Sequence, residues 1–136
     1  MSDLDKLVLS DESIDDLQLK GLKLIQKKDA FRFGVDAVLL SDFSRVKSKH
    51  RVIDLCSGTG IIPFLLMGKY NPEEVAALEI QNDIADMAER SVKLNSLEGK
   101  IKVYNRDLKD IDFLKSIGRF DVLTVNPPYK VNNGGI

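Results

Sequence analysis

The segment "RVIDLCSGTGIIPFLLMGKY" (51–70) constrains the fold more than any other part of the chain. Its first five residues are a short apolar run, too brief for a stable helix and closed by a loop, so they read as a buried strand. Pro63 lacks an N–H and fixes φ at about −65°, which a helix tolerates only in its first turn. The helix written by "IIPFLLMGKY" therefore begins near Gly60 or Ile61. Strand, glycine loop and helix follow one another with no slack. The pattern then repeats. "EVAALEI" (74–80) is a second strand and "NDIADMAERSVKLNSL" (82–97) an amphipathic helix, with Ile84, Met87, Ala88, Val92 and Leu94 or Asn95 on or near one face. Asn82 or Asp83 is expected to cap that helix and Gly99 to end it. "KIKVYN" is a third strand, "LKDIDFLKSIG" a short irregular helix and "RFDVLTVN" a fourth strand. Alternation at this spacing predicts βαβ units, a parallel sheet and the α/β class.

Upstream, residues 1–30 are charge-rich, and neither the helical nor the strand period dominates "SIDDLQLKGLKLIQKKD"; short strands or a turn around Gly21 are expected. "VDAVLLSDFSRV" (35–46) reads as a helix that Asp36 can cap, with Val38, Leu39, Phe43 and Val46 sharing a face. The organisation expected is an N-terminal extension, 1–34, before a ligand-binding domain, 35–136.

Composition removes several function classes. A net charge of −1 carries no nucleic-acid signal by itself, although an average can hide a patch. No run approaches the ~18–20 apolar residues of a membrane span, and the acidic start lacks the long apolar stretch of a signal peptide. One cysteine, Cys56, allows no internal disulfide and suits a reducing cytoplasm. With His50 the only histidine, a zinc cluster is not expected.

In an open parallel sheet, ligands sit at the carboxyl ends of the strands where the order reverses. The first strand of the repeat delivers Asp54, Cys56, Ser57, Gly58, Thr59 and Gly60 to that edge. The second delivers Glu79, 21 residues after Gly58, the spacing at which a carboxylate reaches a ribose diol. A dinucleotide fingerprint would require glycine at position 63, where Pro63 stands, so a pyrophosphate packed on the helix start is disfavoured. Asp54 points the same way: a carboxylate there repels a pyrophosphate and can organise a site for an ammonium. S-adenosylmethionine carries an amino-acid ammonium, a ribose and an adenine, and no phosphate. Asp107, after the third strand, is placed to accept from an adenine amine, with Leu108 and Ile80 packing on the purine faces. One acid alone would read as a solvated loop carboxylate or a cap. Three acids at three successive strand ends, around one glycine loop, read as a site.

With these residues in place the chain resembles the class I S-adenosylmethionine-dependent methyltransferases, a Rossmann-like family. "DLCSGTG" is similar to their first motif, Glu79 to their ribose acid, "NRDL" to their adenine-contacting segment and "NPPY" (126–129) to their catalytic tetrapeptide. The upstream stretch "LKLIQKKDAFRFGVDAVLLSDF" resembles the bacterial tRNA(Val) adenine-N6 methyltransferase family. The resemblance implies a cofactor, S-adenosyl-L-methionine, and a tRNA substrate methylated on an adenine N6. It also implies roles for the tetrapeptide. The Asn126 amide oxygen and the Pro127 carbonyl would accept from the target amine, Pro128 would stiffen the turn, and Tyr129 would stack on a base withdrawn from its helix. A strong general base is not required, because the amine becomes acidic once methylated.

The family sheet has seven strands. The strands read here, in order 3-2-1-4 by analogy, would leave the fourth as an apolar edge, so the expectation is the cofactor-binding portion of a longer enzyme, truncated before the C-terminal strands. A protein-glutamine N5 methyltransferase acting on release factors shares "NPPY" and is the alternative, as is a non-catalytic RNA-binding fragment. Cys56 is expected to fill space rather than act as a nucleophile, and His50 to lie at the surface. Phe31, Phe33 and the helix after them would floor the cofactor pocket or form plain core. Lys20, Lys23, Lys27, Lys28, Arg32, Arg45, Lys47, Lys49 and Arg51 would grip phosphates or form a solvated face.

Overall fold

The protein is described by a computed structural model covering residues 6–29 and 34–127. The expectations for Phe31, Arg32, Phe33, Pro128 and Tyr129 fall on residues outside that range. The elements run β1 (Glu12–Asp16), β2 (Lys23–Lys27), α1 (Val35–Phe43), β3 (Arg51–Leu55), α2 (Ile61–Tyr70), β4 (Glu74–Leu78), α3 (Asn82–Leu94), β5 (Ile101–Tyr104), α4 (Ile111–Ser116) and β6 (Val122–Val125). Among the described residues no helix is long and apolar enough to cross a membrane.

β3 to β6 form a wholly parallel sheet, as the strand–helix alternation predicts, in the order β5-β4-β3-β6, the 3-2-1-4 order that the family resemblance implies. One face carries Val52, Val75, Ile101 and Val122 against Phe64, Leu66 and Val92 of α2 and α3. The other carries Ile53 and Leu78 against Leu114, Ile117 and Phe120, in and after α4. Alternate residues thus feed two cores, which is why the strands read as continuous apolar runs.

β1 and β2 form an antiparallel hairpin whose turn includes Gly21 at φ +74°, as the mixed periodicity allowed. Leu24 and Ile25 are fully buried, and Leu24 belongs to the same core as Val52 and Phe64. The hairpin is fixed to α3 by side chains that serve the free edge of β2. Ile25 N donates to Ser91 Oγ (2.9 Å), Lys23 N donates to Asn95 Oδ1 (2.9 Å), and Asn95 Nδ2 donates back to Lys23 O (2.6 Å). Arg90 forks onto the buried Glu12 carboxylate and donates to Leu7 O. A Cβ on Gly68 would lie 2.5 Å from Leu19 Cδ2, so glycine there lets the hairpin turn seat on α2 without displacing the Leu19 side chain.

Several local expectations are corrected. α1 is capped by Gly34 in extended backbone, not by Asp36, which instead places a negative charge in the first turn. That helix stops at Phe43, and its buried residues are Ala37 and Ser41. Leu39 (59% exposed) and Phe43 (84% exposed) face solvent, while Val46, beyond the helix, is buried. The reason is close helix packing: small residues four apart let α1 approach α2, where Tyr70 Oη donates to Ser41 O (2.8 Å) and Lys69 Nζ to Ser41 Oγ (2.6 Å). The N-cap of α3 is Gln81, without a side-chain cap bond, rather than Asn82 or Asp83. Its end is set by Asn95, whose amide donates to Ser91 O (2.7 Å), and by Ser96 at φ +55°, three residues before Gly99. Among the expected basic residues, Lys23 pairs with Asp16, Lys27 with Asp11 and Glu12, and Arg51 with Glu74. His50 is half-buried, its Nδ1 accepting from Lys47 N (3.0 Å).

Candidate active site

The carboxyl ends of the parallel strands open onto a cavity of about 780 Å³, within the range of small-molecule sites. The loop after β3 forms one wall. It turns through Cys56 at φ +58°, Gly58 at +58° and Gly60 at +98°. Gly60 then caps α2 in a left-handed conformation that a residue with a Cβ adopts only under strain. Ser57 N donates to Leu78 O (2.8 Å), pinning the loop to the end of β4.

Glu79 stands immediately after β4, 7% exposed and lining the cavity. Its Oε1 accepts from Gly58 N (2.8 Å) and its Oε2 from Gln81 N (2.9 Å). One carboxylate therefore ties the glycine loop to the start of α3. Each oxygen retains a further lone pair for a ligand hydroxyl. Ile80 (61% exposed) and Leu108 (42% exposed) present apolar surface to the same space, with Asp107 beside them. Asn105 holds this corner together, its Nδ2 donating to Glu79 O (2.9 Å) and Ile80 O (3.0 Å). Asn105 belongs to the "NRDL" segment but was not singled out from the sequence; as the first residue after β5 its amide reaches the backbone that follows β4.

Asp54 is different. It is 1% exposed and does not line the cavity. Its Oδ2 accepts from Ser57 Oγ (2.6 Å) and its Oδ1 from Thr124 Oγ1 of β6 (2.6 Å). Burial pushes its carboxyl up to about 6, and the two hydroxyls hold it back from rising further. Burial, then the charges of Glu79 and Asp54, raise the Cys56 thiol above its ordinary value, which disfavours the thiolate. Gln26 of the hairpin and Val35, Asp36 and Ala37 of α1 line the opposite side.

Asn126 and Pro127 come directly after β6 and line the same cavity, Asn126 half-buried and Pro127 exposed. Of the sequence-predicted residues, the structure therefore brings together Cys56, Ser57, Gly58, Glu79, Ile80, Asp107, Leu108, Asn126 and Pro127 around one space. Gly60 lies behind the loop as the cap of α2, and Asp54 lies beneath it. Among the described residues no cluster of three or more His, Cys, Asp or Glu could hold a metal ion.

Such a cavity, at the reversal point of a parallel α/β sheet, is the arrangement of a nucleoside-binding domain. The methyltransferase small domain matches residues 30–135, and the chain belongs to that family. A tRNA1(Val) (adenine(37)-N6)-methyltransferase of Bacteroides thetaiotaomicron is 32% identical over 117 residues, covering 85% of this chain and 48% of that protein. The chain thus spans about half the length of the curated relatives it matches. Trm5 of Methanocaldococcus jannaschii, solved in complex with adenosine, aligns with TM-score 0.68 and 20% identity over 88% of this chain and 35% of its own. A SAM-dependent methyltransferase of Agrobacterium tumefaciens aligns with TM-score 0.64 and 21% identity over 89% of this chain and 41% of its own. Both likenesses establish the α/β, Rossmann-like methyltransferase fold.

Proposed function

We propose that the cavity binds S-adenosylmethionine and that the full-length protein transfers its methyl group to the exocyclic N6 of an adenine in tRNA. The observation that carries this reading is that Asn126 and Pro127 open onto the same cavity as Gly58, Glu79 and Asp107. Cavity volume and chemistry fit the cofactor: a carboxylate with spare lone pairs for a ribose diol, two apolar side chains for a purine and an acid for its amine. S-adenosylmethionine supplies a methyl group activated on a sulfonium sulfur.

The chain's own residues do the rest. Glu79 orients the ribose while keeping the loop backbone in place. The Asn126 amide oxygen and the Pro127 carbonyl accept hydrogen bonds from the target amine and draw its nitrogen toward tetrahedral geometry, aiming the lone pair. After transfer the amine is acidic and gives its proton to water, so no residue need act as a strong base. Pro127 donates no N–H, which leaves that stretch of backbone with acceptors alone. Residues 35–136 carry the site, with residues 1–34 an extension that contributes Gln26 to its wall. The names of the relatives support tRNA as substrate, and a cytoplasmic reaction follows from it.

The test is incubation of the full-length protein with unmodified tRNA and labelled cofactor, followed by digestion to nucleosides. N6-methyladenosine is the expected product. Label in a release-factor glutamine instead would select the protein-methylating alternative, and RNA binding without transfer the non-catalytic one.

A further inference from the structure

Asn126 follows directly on β6, a four-residue strand paired with β3 among the described strands. The last pair of that ladder is Leu55 with Val125, so Asn126 lies one residue past the final pair. Pro127 has no N–H with which to add another. The additional tie is made by a side chain. Thr124, 3% exposed and paired in register with Asp54, donates its hydroxyl to Asp54 Oδ1 (2.6 Å). The other oxygen of that carboxylate accepts from Ser57 Oγ (2.6 Å), and Ser57 is bonded through its backbone to β4. The chain of contacts runs from β6 to the glycine loop entirely through buried atoms.

On the methyl-transfer reading above, we infer that Thr124 is a positioning residue: through Asp54 and Ser57 its hydroxyl sets the end of β6, and hence Asn126, against the glycine loop. A buried carboxylate held by two hydroxyls, rather than by a cation, is expensive to keep. A contact from Asp54 to a ligand ammonium does not account for it, because Asp54 does not face the cavity. A strut joining the two halves of the site does account for it. Thr124 does not line the cavity, and acts only through its neighbours.

The test compares Thr124→Val, which keeps the shape and removes the hydroxyl, with Thr124→Ser, which restores it. Both are made in the full-length protein, with the turnover rate and the affinity for S-adenosylhomocysteine measured separately. Displacement of a reacting group by an ångström costs on the order of 100-fold. Thr124→Val should therefore lower kcat by about 10- to 100-fold with affinity changed by less than about threefold, and Thr124→Ser should recover most of the rate. Should the valine variant not fold, Thr124→Ala, which also removes the hydroxyl, is read by the same criteria. Full rate in either folded variant, equal loss of rate and affinity, or a serine variant as impaired as valine would overturn the inference. A wild-type protein that neither binds the cofactor product nor methylates would instead break the functional reading on which it rests.

Discussion

Asp54 and Glu79 are both acids near the carboxyl ends of neighbouring central parallel strands, two residues apart in register and each less than a tenth exposed. They nevertheless do different things. Glu79 meets two backbone N–H groups and keeps one edge open to the cavity, so it shapes the loop and remains able to accept from a ligand. Asp54 meets two hydroxyls and faces the interior, binding the loop to β6. The difference follows from where each acid lies along its strand. Asp54 is inside β3, level with Ala77 of β4 and Thr124 of β6, so it is covered from both sides, whereas Glu79 follows the last residue of β4, beside the loop that opens the cavity. A carboxylate at a strand end is thus a ligand only if its neighbours leave it an open side.

The largest expected effect separates the two acids by affinity. Glu79→Ala removes the ligand-facing acceptor and orphans Gly58 N and Gln81 N. Hydrogen bonds to a charged group are worth roughly 1.5–3 kcal/mol each, so affinity for S-adenosylhomocysteine should fall by about 100-fold or more in calorimetry. An unchanged affinity would break the assignment of Glu79 as the ribose acid.

Asp54 should reveal itself through pH rather than affinity. Its folded-state value of about 6 lies above its ordinary 3.8. Stability from this group is therefore complete below the lower value and is lost as pH rises through the upper one, a difference of about 3 kcal/mol. Asp54→Asn abolishes that loss. Urea denaturation should show the variant gaining on the wild type between about pH 4 and pH 7; a flat or narrowing gap would contradict the buried, raised carboxylate.

A smaller effect sharpens the role of Glu79. Glu79→Gln keeps one carbonyl acceptor of similar reach, so affinity should drop by only about tenfold. The smallest concerns Cys56, whose thiol is held above its ordinary value by burial first and then by both acids. Alkylation of the intact protein near neutral pH should be about threefold to tenfold slower than that of free cysteine, and S-adenosylhomocysteine should slow it further. A fast reaction unaffected by the cofactor product would place Cys56 outside the site.

Much of the sheet was legible because its signals are local. The short apolar runs, the glycine loop and Pro63 define strand, turn and helix within a few residues of one another, and their alternation predicts a parallel sheet, while the order of its strands came only by analogy with the family. The acids at the strand ends were legible for the same reason. Their directions were not, since Asp54 and Thr124 are 70 residues apart and meet only through strand pairing. The same limit hid Ser91 and Asn95, which look like ordinary polar positions of an amphipathic helix until the edge of β2 is laid against them. Leu39 and Phe43 misled in the other direction: helical spacing marked them as a buried face, whereas Ala37 and Ser41 are the buried positions of α1.

The central claim is that a single cavity at the strand ends holds the cofactor beside Asn126. Turnover and cofactor-product affinity, measured together on the full-length protein and its Asn126→Ala variant, test it most directly. Transfer onto tRNA should fall by about 100- to 1,000-fold, the scale of a lost transition-state hydrogen bond, while affinity for S-adenosylhomocysteine stays within about threefold. An Asn126→Ala protein that retains the wild-type rate would contradict the claim.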